Sequence, residues 1–217
     1  MTIKILLADD HKIVFDSLKS LLDRQPDMQV VGGAEDGRVA VTRVHELKPD
    51  VVIMDVSMPN LNGIEATRQI TSQHAETKVI ALSMHADKQF VTGILSAGAS
   101  GYLTKNCSFD ELVTAIRAVA ANKKYLCPDV TAIVIDESLS DTSHAGSSVS
   151  QSLTMREREI LQLLAEGKTI KQIAVQLYLS NKTIYTHRDQ IMKKLHVDSI
   201  AELTKLAIRD GLIAKQG

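Results

Sequence analysis

The first two-thirds of the chain alternates short runs of apolar and β-branched residues with longer stretches in which apolar residues recur every three or four positions. Short runs of this kind are typical of strands buried on both faces, and the longer stretches are typical of amphipathic helices. The predicted strands are residues 3–8, 29–32, 51–55, 79–83 and 101–104. Five such strand and helix units predict an α/β fold with a doubly wound, five-stranded parallel sheet.

The last third of the chain has helical spacing and no strand-like run. Thr154 stands three residues before a glutamate, which predicts a capping box at the start of a first helix. Two further helices are predicted over Ile170–Leu177 and Asn181–Leu195, and a second capping box at Ser199 predicts a fourth. Two helices joined by a tight turn, the second flanked by Lys and Arg, indicate a small all-α domain with a helix-turn-helix.

A serine-rich stretch without periodicity, residues 136–152, has the composition of a flexible linker. We therefore expect a first domain over residues 1–121, a connection with a short helix over 122–149, and a second domain over 150–217. No apolar run approaches the ~18 residues of a membrane helix, and neither a secretory signal nor paired cysteine spacing is found. These features predict a soluble, cytoplasmic chain without membrane contact, disulfide or structural zinc.

The formal net charge of −1 is the sum of unlike segments. Residues 1–120 hold 12 basic against 15 acidic side chains, and residues 121–150 hold 2 against 4. Residues 151–217 hold 11 against 7, so that only this segment is basic. Such an asymmetry indicates one module that faces an anionic partner.

Polar residues of complementary chemistry stand where the predicted strands end. Asp9 and Asp10 follow the first strand and Asp55 closes the third. Ser83 closes the fourth and Lys105 follows the fifth. Because the carboxyl ends of parallel strands meet at one edge of a sheet, we expect these side chains to lie together.

Three carboxylates in one crevice repel one another unless a cation is present, and hard oxygen ligands suit Mg²⁺. A carboxylate beside such an ion, with an ammonium and a hydroxyl near by, can attack phosphorus and hold it as an acyl phosphate. Taken singly, each residue has a simpler interpretation: an aspartate after a strand more often caps a helix, Ser83 could do the same, and Lys105 could be a solvated charge. Because polar residues of complementary chemistry stand at the ends of four predicted strands, a shared phosphoryl-binding site is favoured over these separate interpretations.

The first domain resembles the receiver domain of two-component response regulators. The resemblance covers about residues 1–121 and is carried by LLADDH at 6–11, IMDVSMP at 53–59 with NG at 62–63, IALS at 80–83 and GASGYLTK at 98–105. It implies that a sensor histidine kinase phosphorylates Asp55. It also implies that Asp10, Asp55 and the backbone carbonyl of Ser57 bind Mg²⁺, and that Asp9 reaches the ion through water.

By the same resemblance, Ser83 and Lys105 bind the phosphoryl oxygens, and Tyr102 is the aromatic residue that turns inward when Ser83 moves. The sequence departs from the common receiver pattern directly after Lys105. Asn106 follows where proline is usual. A cis peptide bond here would cost about 3 kcal/mol, against ~1 kcal/mol before a proline.

The second domain resembles the LuxR-type DNA-binding domain of NarL/FixJ-family regulators, on LTMREREIL at 153–161, KQIA at 171–174, LSNKTI at 179–184 and HRDQIMKKL at 187–195. The resemblance implies that the third helix enters the major groove of promoter DNA. The residues implied in DNA contact are Lys182, Thr183, Tyr185, Thr186, Arg188, Asp189, Lys193 and Lys194. Tyr185 and Asp189 depart from a family pattern that is often basic there, and an aspartate accepts from cytosine but is repelled by phosphate.

Together these features predict a transcriptional regulator, not an enzyme, whose DNA binding is switched by phosphorylation through dimerisation. A homodimer is expected because two half-sites enlarge the footprint on DNA. The first and fifth helices, the fourth helix and the helix around residues 128–136 are candidate contact surfaces, and RNA polymerase is a further candidate partner.

Two other functions stay open at this point. Phosphohydrolases of the dehalogenase type also use an aspartate nucleophile with Mg²⁺, but they need a second acid two residues later, where this chain has Ser57. The second open function is a receiver that acts only through protein contacts and whose helix-turn-helix does not bind DNA. Asp189 keeps this alternative open, because an aspartate is unfavourable beside phosphate.

Overall fold

The computed structural model of the protein describes residues 2–84, 86–140 and 152–213, with residues 137–140 described by their backbone only. The described residues fall into two compact units, one on either side of residues 141–151. The serine-rich stretch predicted as a linker therefore lies mostly outside the described residues. Across the described ranges, no helix is long and apolar enough to cross a membrane.

The first unit is built on a sheet of strands β1 (Ile3–Ala8), β2 (Met28–Ala34), β3 (Val51–Asp55), β4 (Lys78–Ser83), β5 (Gly101–Thr104) and β6 (Tyr125–Leu126). They lie in the order β2-β1-β3-β4-β5-β6, and every neighbouring pair is parallel. The helices are α1 (Lys12–Leu22), α2 (Gly37–Leu47), α3 (Gly63–Gln73), α4 (Lys88–Ser96), α5 (Phe109–Ala120) and α6 (Pro128–Ser140). The predicted doubly wound α/β fold is confirmed, with one short strand more than the five predicted.

Alternate residues of the strands point to opposite faces of the sheet, so both faces can be covered by helices. On one face Leu6 packs with Val44 of α2. On the other face Ile5 packs in a core that contains Leu22 of α1 and Ile116 of α5. All five residues of β3 are buried, as expected for a central strand with helices on both sides.

The strand β6 was not predicted from the sequence pattern, and the helix α6 was predicted at its position but too short. The two residues of β6 pair with the start of β5, and two residues are too few to show a strand pattern. α6 begins at Pro128, where a missing N–H group is tolerated, and its Val130 is fully buried in the core of the first unit. The helix runs on to Ser140 and is therefore longer than the helix expected around residues 128–136. Because Val130 packs in the core of the first unit, α6 belongs to that unit.

The second unit consists of α7 (Met155–Ala165), α8 (Ile170–Leu177), α9 (Asn181–Leu195) and α10 (Ile200–Arg209), which confirms the four predicted helices. The capping box predicted at Thr154 is present. At Ser199 only half of the predicted box forms, because the carboxylate of Glu202 accepts from the N–H of Asp198, at 3.1 Å. A further box, between Thr169 and Gln172, opens α8.

The apolar faces of these four helices enclose one core. Tyr178 ends α8 in the left-handed conformation, with φ of 55°. The chain reaches the N-cap of α9 at Ser180, two residues later. Within α9, Ile184 and Ile191 are fully buried and belong to this core. The pair α8 and α9 is thus the predicted helix-turn-helix.

Candidate functional site

The polar residues predicted at the strand ends do meet at the carboxyl edge of the sheet. Asp55 lies opposite Leu82 of β4, and Ser83 lies opposite Thr104 of β5. The N–H of Lys105 donates to the carbonyl of Ser83 at 2.8 Å, which extends the β4–β5 pairing by one residue. Parallel strand order therefore joins residues that lie far apart in the sequence.

Lys105 supplies the positive charge of this pocket. Its Nζ lies 2.7 Å from Oδ2 of Asp55 and 2.7 Å from Oδ2 of Asp9. Burial alone would lower the pKa of Lys105, but its hydrogen bonds to Asp55 and Asp9 outweigh burial and raise the pKa above its ordinary value. The lysine is therefore charged and neutralises part of the acidic cluster.

Four side chains in the pocket offer ligand atoms within 4.8 Å of one another: Asp9, Asp10, His11 and Asp55. Their three carboxylates form the oxygen donor set that hard divalent cations prefer. Asp10 is exposed whereas Asp55 is buried, so a cation here would keep water on its outer side, as Mg²⁺ commonly does. The residues present thus fit a magnesium ion.

His11 was not among the predicted site residues. Its Nδ1 lies 3.0 Å from Oδ1 of Asp10 and 3.2 Å from Oδ1 of Asp9. Imidazole suits softer metals than Mg²⁺, so His11 is better placed as a hydrogen-bond partner of the carboxylates than as a ligand. Its position directly after Asp10 was the one available sequence signal.

Ser57 contacts Asp55 directly, and Ser83 directly follows Leu82, the strand partner of Asp55. The N–H of Ser57 donates to Oδ1 of Asp55 at 3.1 Å. The Ser57 hydroxyl is buried and has no hydrogen-bond partner among the described residues, a situation that is rare unless a ligand or water completes the site. Ser83 is buried and shares a side-chain hydrogen bond with Tyr102. Burial raises the pKa of Tyr102 to about 12, against the opposing effect of that hydrogen bond, and the ring has no exposed surface.

The loop after β3 comes so close to the backbone of Asp55 that only a glycine fits at position 63. The N–H of Gly63 donates to the carbonyl of Val56 at 3.0 Å. A Cβ at Gly63 would stand 2.0 Å from the carbonyl oxygen of Asp55. Asn62 precedes it as the N-cap of α3, and its side chain accepts from the N–H of Glu65 at 2.9 Å. The Asn-Gly pair therefore fixes the backbone of Asp55 from the side of α3.

The outward face of α9 is the second candidate site. Its exposed members are Lys182, Tyr185, Thr186, Asp189, Lys193 and Lys194, while Thr183 and Arg188 are partly buried. The N–H of Thr183 donates to the hydroxyl of the N-cap Ser180 at 3.0 Å, so Thr183 also belongs to the start of the helix. Tyr178, in the turn before α9, is 95% exposed. Its exposure was not predicted, because no sequence pattern separates an exposed aromatic residue in a turn from a buried one.

Lys194 is engaged within its own domain. Its Nζ lies 2.8 and 2.7 Å from the two carboxylate oxygens of Glu157, a buried residue that completes the capping box of α7. Burial by itself raises the pKa of Glu157, but the hydrogen bonds from Lys194 and Thr154 bring the pKa below its ordinary value. The predicted DNA contact of Lys194 stays a prediction, and the ion pair with Glu157 gives this lysine a structural role.

Comparison with known proteins finds a matching protein family for each of the two units. Residues 5–117 match the response regulator receiver domain, and residues 151–207 match the luxR family of bacterial regulatory proteins. The chain is 35% identical to the transcriptional regulatory protein DegU of Brevibacillus brevis, over 97% of this chain and 95% of that protein. It is 39% identical to the transcriptional regulatory protein LiaR of Bacillus subtilis, over 97% of this chain and 99% of that protein.

A solved structure agrees with this result. It is RcsB from Salmonella enterica serovar Typhimurium, bound to promoter P1flhDC in the presence of the phosphomimetic BeF3−. The match covers 98% of this chain and 100% of that chain, with a TM-score of 0.61 and 26% sequence identity.

A receiver fold with an acidic pocket, followed by a helix-turn-helix unit, defines a two-component response regulator with a DNA-binding domain. The chain belongs to the NarL/FixJ family of response regulators. Its receiver implies a sensor kinase as partner, and its luxR-type domain implies DNA binding. Family members are transcription factors and not typical enzymes.

Proposed function

We propose that this protein is a transcriptional regulator whose binding to promoter DNA is switched by phosphorylation of Asp55 from a sensor histidine kinase. The observation that carries the proposal is the position of the Lys105 ammonium, 2.7 Å from both Asp55 and Asp9. A buried carboxylate beside a fixed ammonium and further carboxylates is suited to accept a phosphoryl group, because the cations offset the charge of the phosphoryl oxygens.

In the proposed step, a carboxylate oxygen of Asp55 forms a bond to phosphorus while the phosphorus–nitrogen bond of a phosphohistidine breaks. The electron pair of the broken bond leaves with the imidazole. Asp10, Asp55 and the Ser57 carbonyl would hold a Mg²⁺ ion, with Asp9 contributing through water, and the bound ion would offset negative charge on the phosphoryl oxygens. Lys105 keeps its proton and moves from the carboxylate to a phosphoryl oxygen.

We propose that the hydroxyl of Ser83 turns to another phosphoryl oxygen and thereby couples the pocket to β5. Tyr102, which shares a hydrogen bond with Ser83, is already fully buried in this conformation. The N–H of Cys127 donates to the Tyr102 carbonyl at 3.1 Å, directly before α6. A small movement at Ser83 can therefore shift the balance between two arrangements of β5 and α6.

The proposed active form is a homodimer bound to two half-sites of double-stranded DNA. Helix α6 contacts α4, so part of the α4 surface is covered by the chain itself. This favours α1 and α5 as the dimer contact. We assign residues 1–121 to the receiver, 122–149 to a connection whose β6 and α6 pack on the receiver, and 150–217 to the DNA-binding domain. We further propose the cytoplasm as location and RNA polymerase as a partner.

The test uses the full chain with acetyl phosphate and Mg²⁺. We expect mass spectrometry to find one phosphoryl group on the wild type and on Glu46→Gln, which changes an exposed carboxylate of α2 away from the proposed dimer contact, and none on Asp55→Asn. Light scattering and DNA retention should then show dimer formation and tighter binding for the first two proteins only. An unlabelled wild type, or equal labelling of Asp55→Asn, would contradict the proposal. Continued hydrolysis of a phosphomonoester would favour an enzyme instead.

A further inference from the structure

Three side chains on the outward face of α9 form a cluster of their own. Arg188 donates to Oδ1 of Asp189 through Nη2 at 2.8 Å and through Nε at 3.1 Å. Its guanidinium carbon lies 5.1 Å from the centroid of the Tyr185 ring. Two of the five N–H donors of the guanidinium and its flat face are therefore in use, and the ring of Tyr185 holds it along the helix surface.

Arg188 thereby differs from the lysines of the same helix. Lys182 and Lys193 are exposed and form no ion pair within the described part of the chain. These lysines can neutralise phosphates without giving up a partner. A phosphate that drew Arg188 away from Asp189 would leave the carboxylate unpaired beside the phosphate backbone, where like charges repel.

The two hydrogen bonds from Arg188 both end on Oδ1 of Asp189. Over the described residues, no hydrogen bond to Oδ2 of Asp189 is found, and the side chain is 65% exposed. In the major groove, a carboxylate oxygen accepts from the exocyclic amine of cytosine. A neutralised and oriented aspartate can make this contact without repulsion from the phosphates around it.

We infer that Asp189 is a specificity-determining residue that reads a cytosine in the major groove through Oδ2, and that Arg188 is its positioning residue and not a phosphate contact. This inference rests on the proposed binding of promoter DNA by α9. It assigns the neutralisation of phosphates to residues such as Lys182 and Lys193, and sequence reading to the Tyr185, Arg188 and Asp189 cluster.

The experiment selects bound fragments from a randomised double-stranded DNA library with the phosphorylated full chain. The same selection is made with Asp189→Asn, Arg188→Ala, the double variant of both and Lys193→Ala, and the affinity for the selected wild-type site is measured over a range of salt concentrations. Since all five proteins differ only at exposed or partly buried positions of one helix, circular dichroism checks that each is folded. Asp189→Asn keeps the shape of the side chain and so provides a second variant should Arg188→Ala be unstable.

We expect a cytosine preference at one position of each half-site in the wild type. Asp189→Asn should lose it or exchange it for adenine, and Arg188→Ala should weaken it about tenfold. The slope of log affinity against log salt should be the same in the double variant as in Asp189→Asn, because no unpaired carboxylate remains there, and it should fall by about one unit from wild type to Lys193→Ala.

Two results would overturn the inference while leaving DNA binding intact. One is a salt slope that falls as much from Asp189→Asn to the double variant as from wild type to Lys193→Ala, since this would make Arg188 a phosphate contact. The other is an unchanged base preference in Asp189→Asn. Failure of the wild type to enrich any DNA would instead reject the proposed function, and the inference with it.

Discussion

Replacing Gly63 by alanine tests whether the close approach of α3 to β3 positions Asp55. The added Cβ would stand 2.0 Å from the carbonyl oxygen of Asp55 and 2.9 Å from the Cα of Val56, whereas ordinary contacts begin at 3.4 Å. The obstructing atoms belong to the backbone and cannot rotate away as a flexible side chain can. The connection between β3 and α3 must therefore open by roughly 1 Å or more.

The expected loss of stability follows from two contributions. Overpacking costs about 1–3 kcal/mol, and weakening of the hydrogen bond from Gly63 to Val56 adds about 1 kcal/mol. A loss of about 3 kcal/mol is a large part of the stability of a typical domain and would lower its melting temperature by about 10 °C. Because the opening displaces the backbone of Asp55, we also expect the rate of phosphorylation to fall about tenfold or more.

Gly93→Ala is the matched control. In α4, a Cβ at Gly93 would meet the flexible Cδ1 end of Ile64 at 3.1 Å, and alanine favours a helix by about 1 kcal/mol over glycine. We expect this variant to stay within about 1 kcal/mol of the wild type. Thermal melts and labelling by acetyl phosphate, at a temperature where both variants are folded, measure the two effects. A Gly63→Ala protein with wild-type stability and labelling rate would refute the reasoning.

Glu157→Gln should destabilise the second unit by about 2 kcal/mol, because Lys194 loses its charged partner, and denaturant unfolding measures this. The pKa of Glu157 is lowered in the folded state, so its stabilising effect is present above the ordinary pKa and is lost as the pH falls through the folded value. The stability difference between wild type and variant should therefore shrink in acid, and a constant difference would contradict the ion pair. Tyr102→Phe should cost about 1 kcal/mol, since Ser83 loses a buried partner; an unchanged denaturation midpoint would argue against that hydrogen bond.

The sequence by itself determined the two kinds of architecture and the order of the elements. Runs such as that of β3 are buried on both faces and show it in their composition, and the cap at Thr154 is a local interaction over three residues. Parallel connectivity also made the convergence of Asp9, Asp55 and Lys105 predictable, because the ends of parallel strands share an edge.

Only the tertiary structure decided which of these groups touch. The contact of Lys105 with two carboxylates and the bonds of Lys194 with Glu157, 37 residues away, depend on side-chain directions that no local pattern encodes. The same holds for β6, which exists through pairing with β5 and has too few residues for a period of its own. The bonds of Arg188 join sequence neighbours, yet their geometry also needed the folded helix. Periodicity reports which face of an element is buried, whereas the pairing of polar atoms is fixed only when distant elements pack.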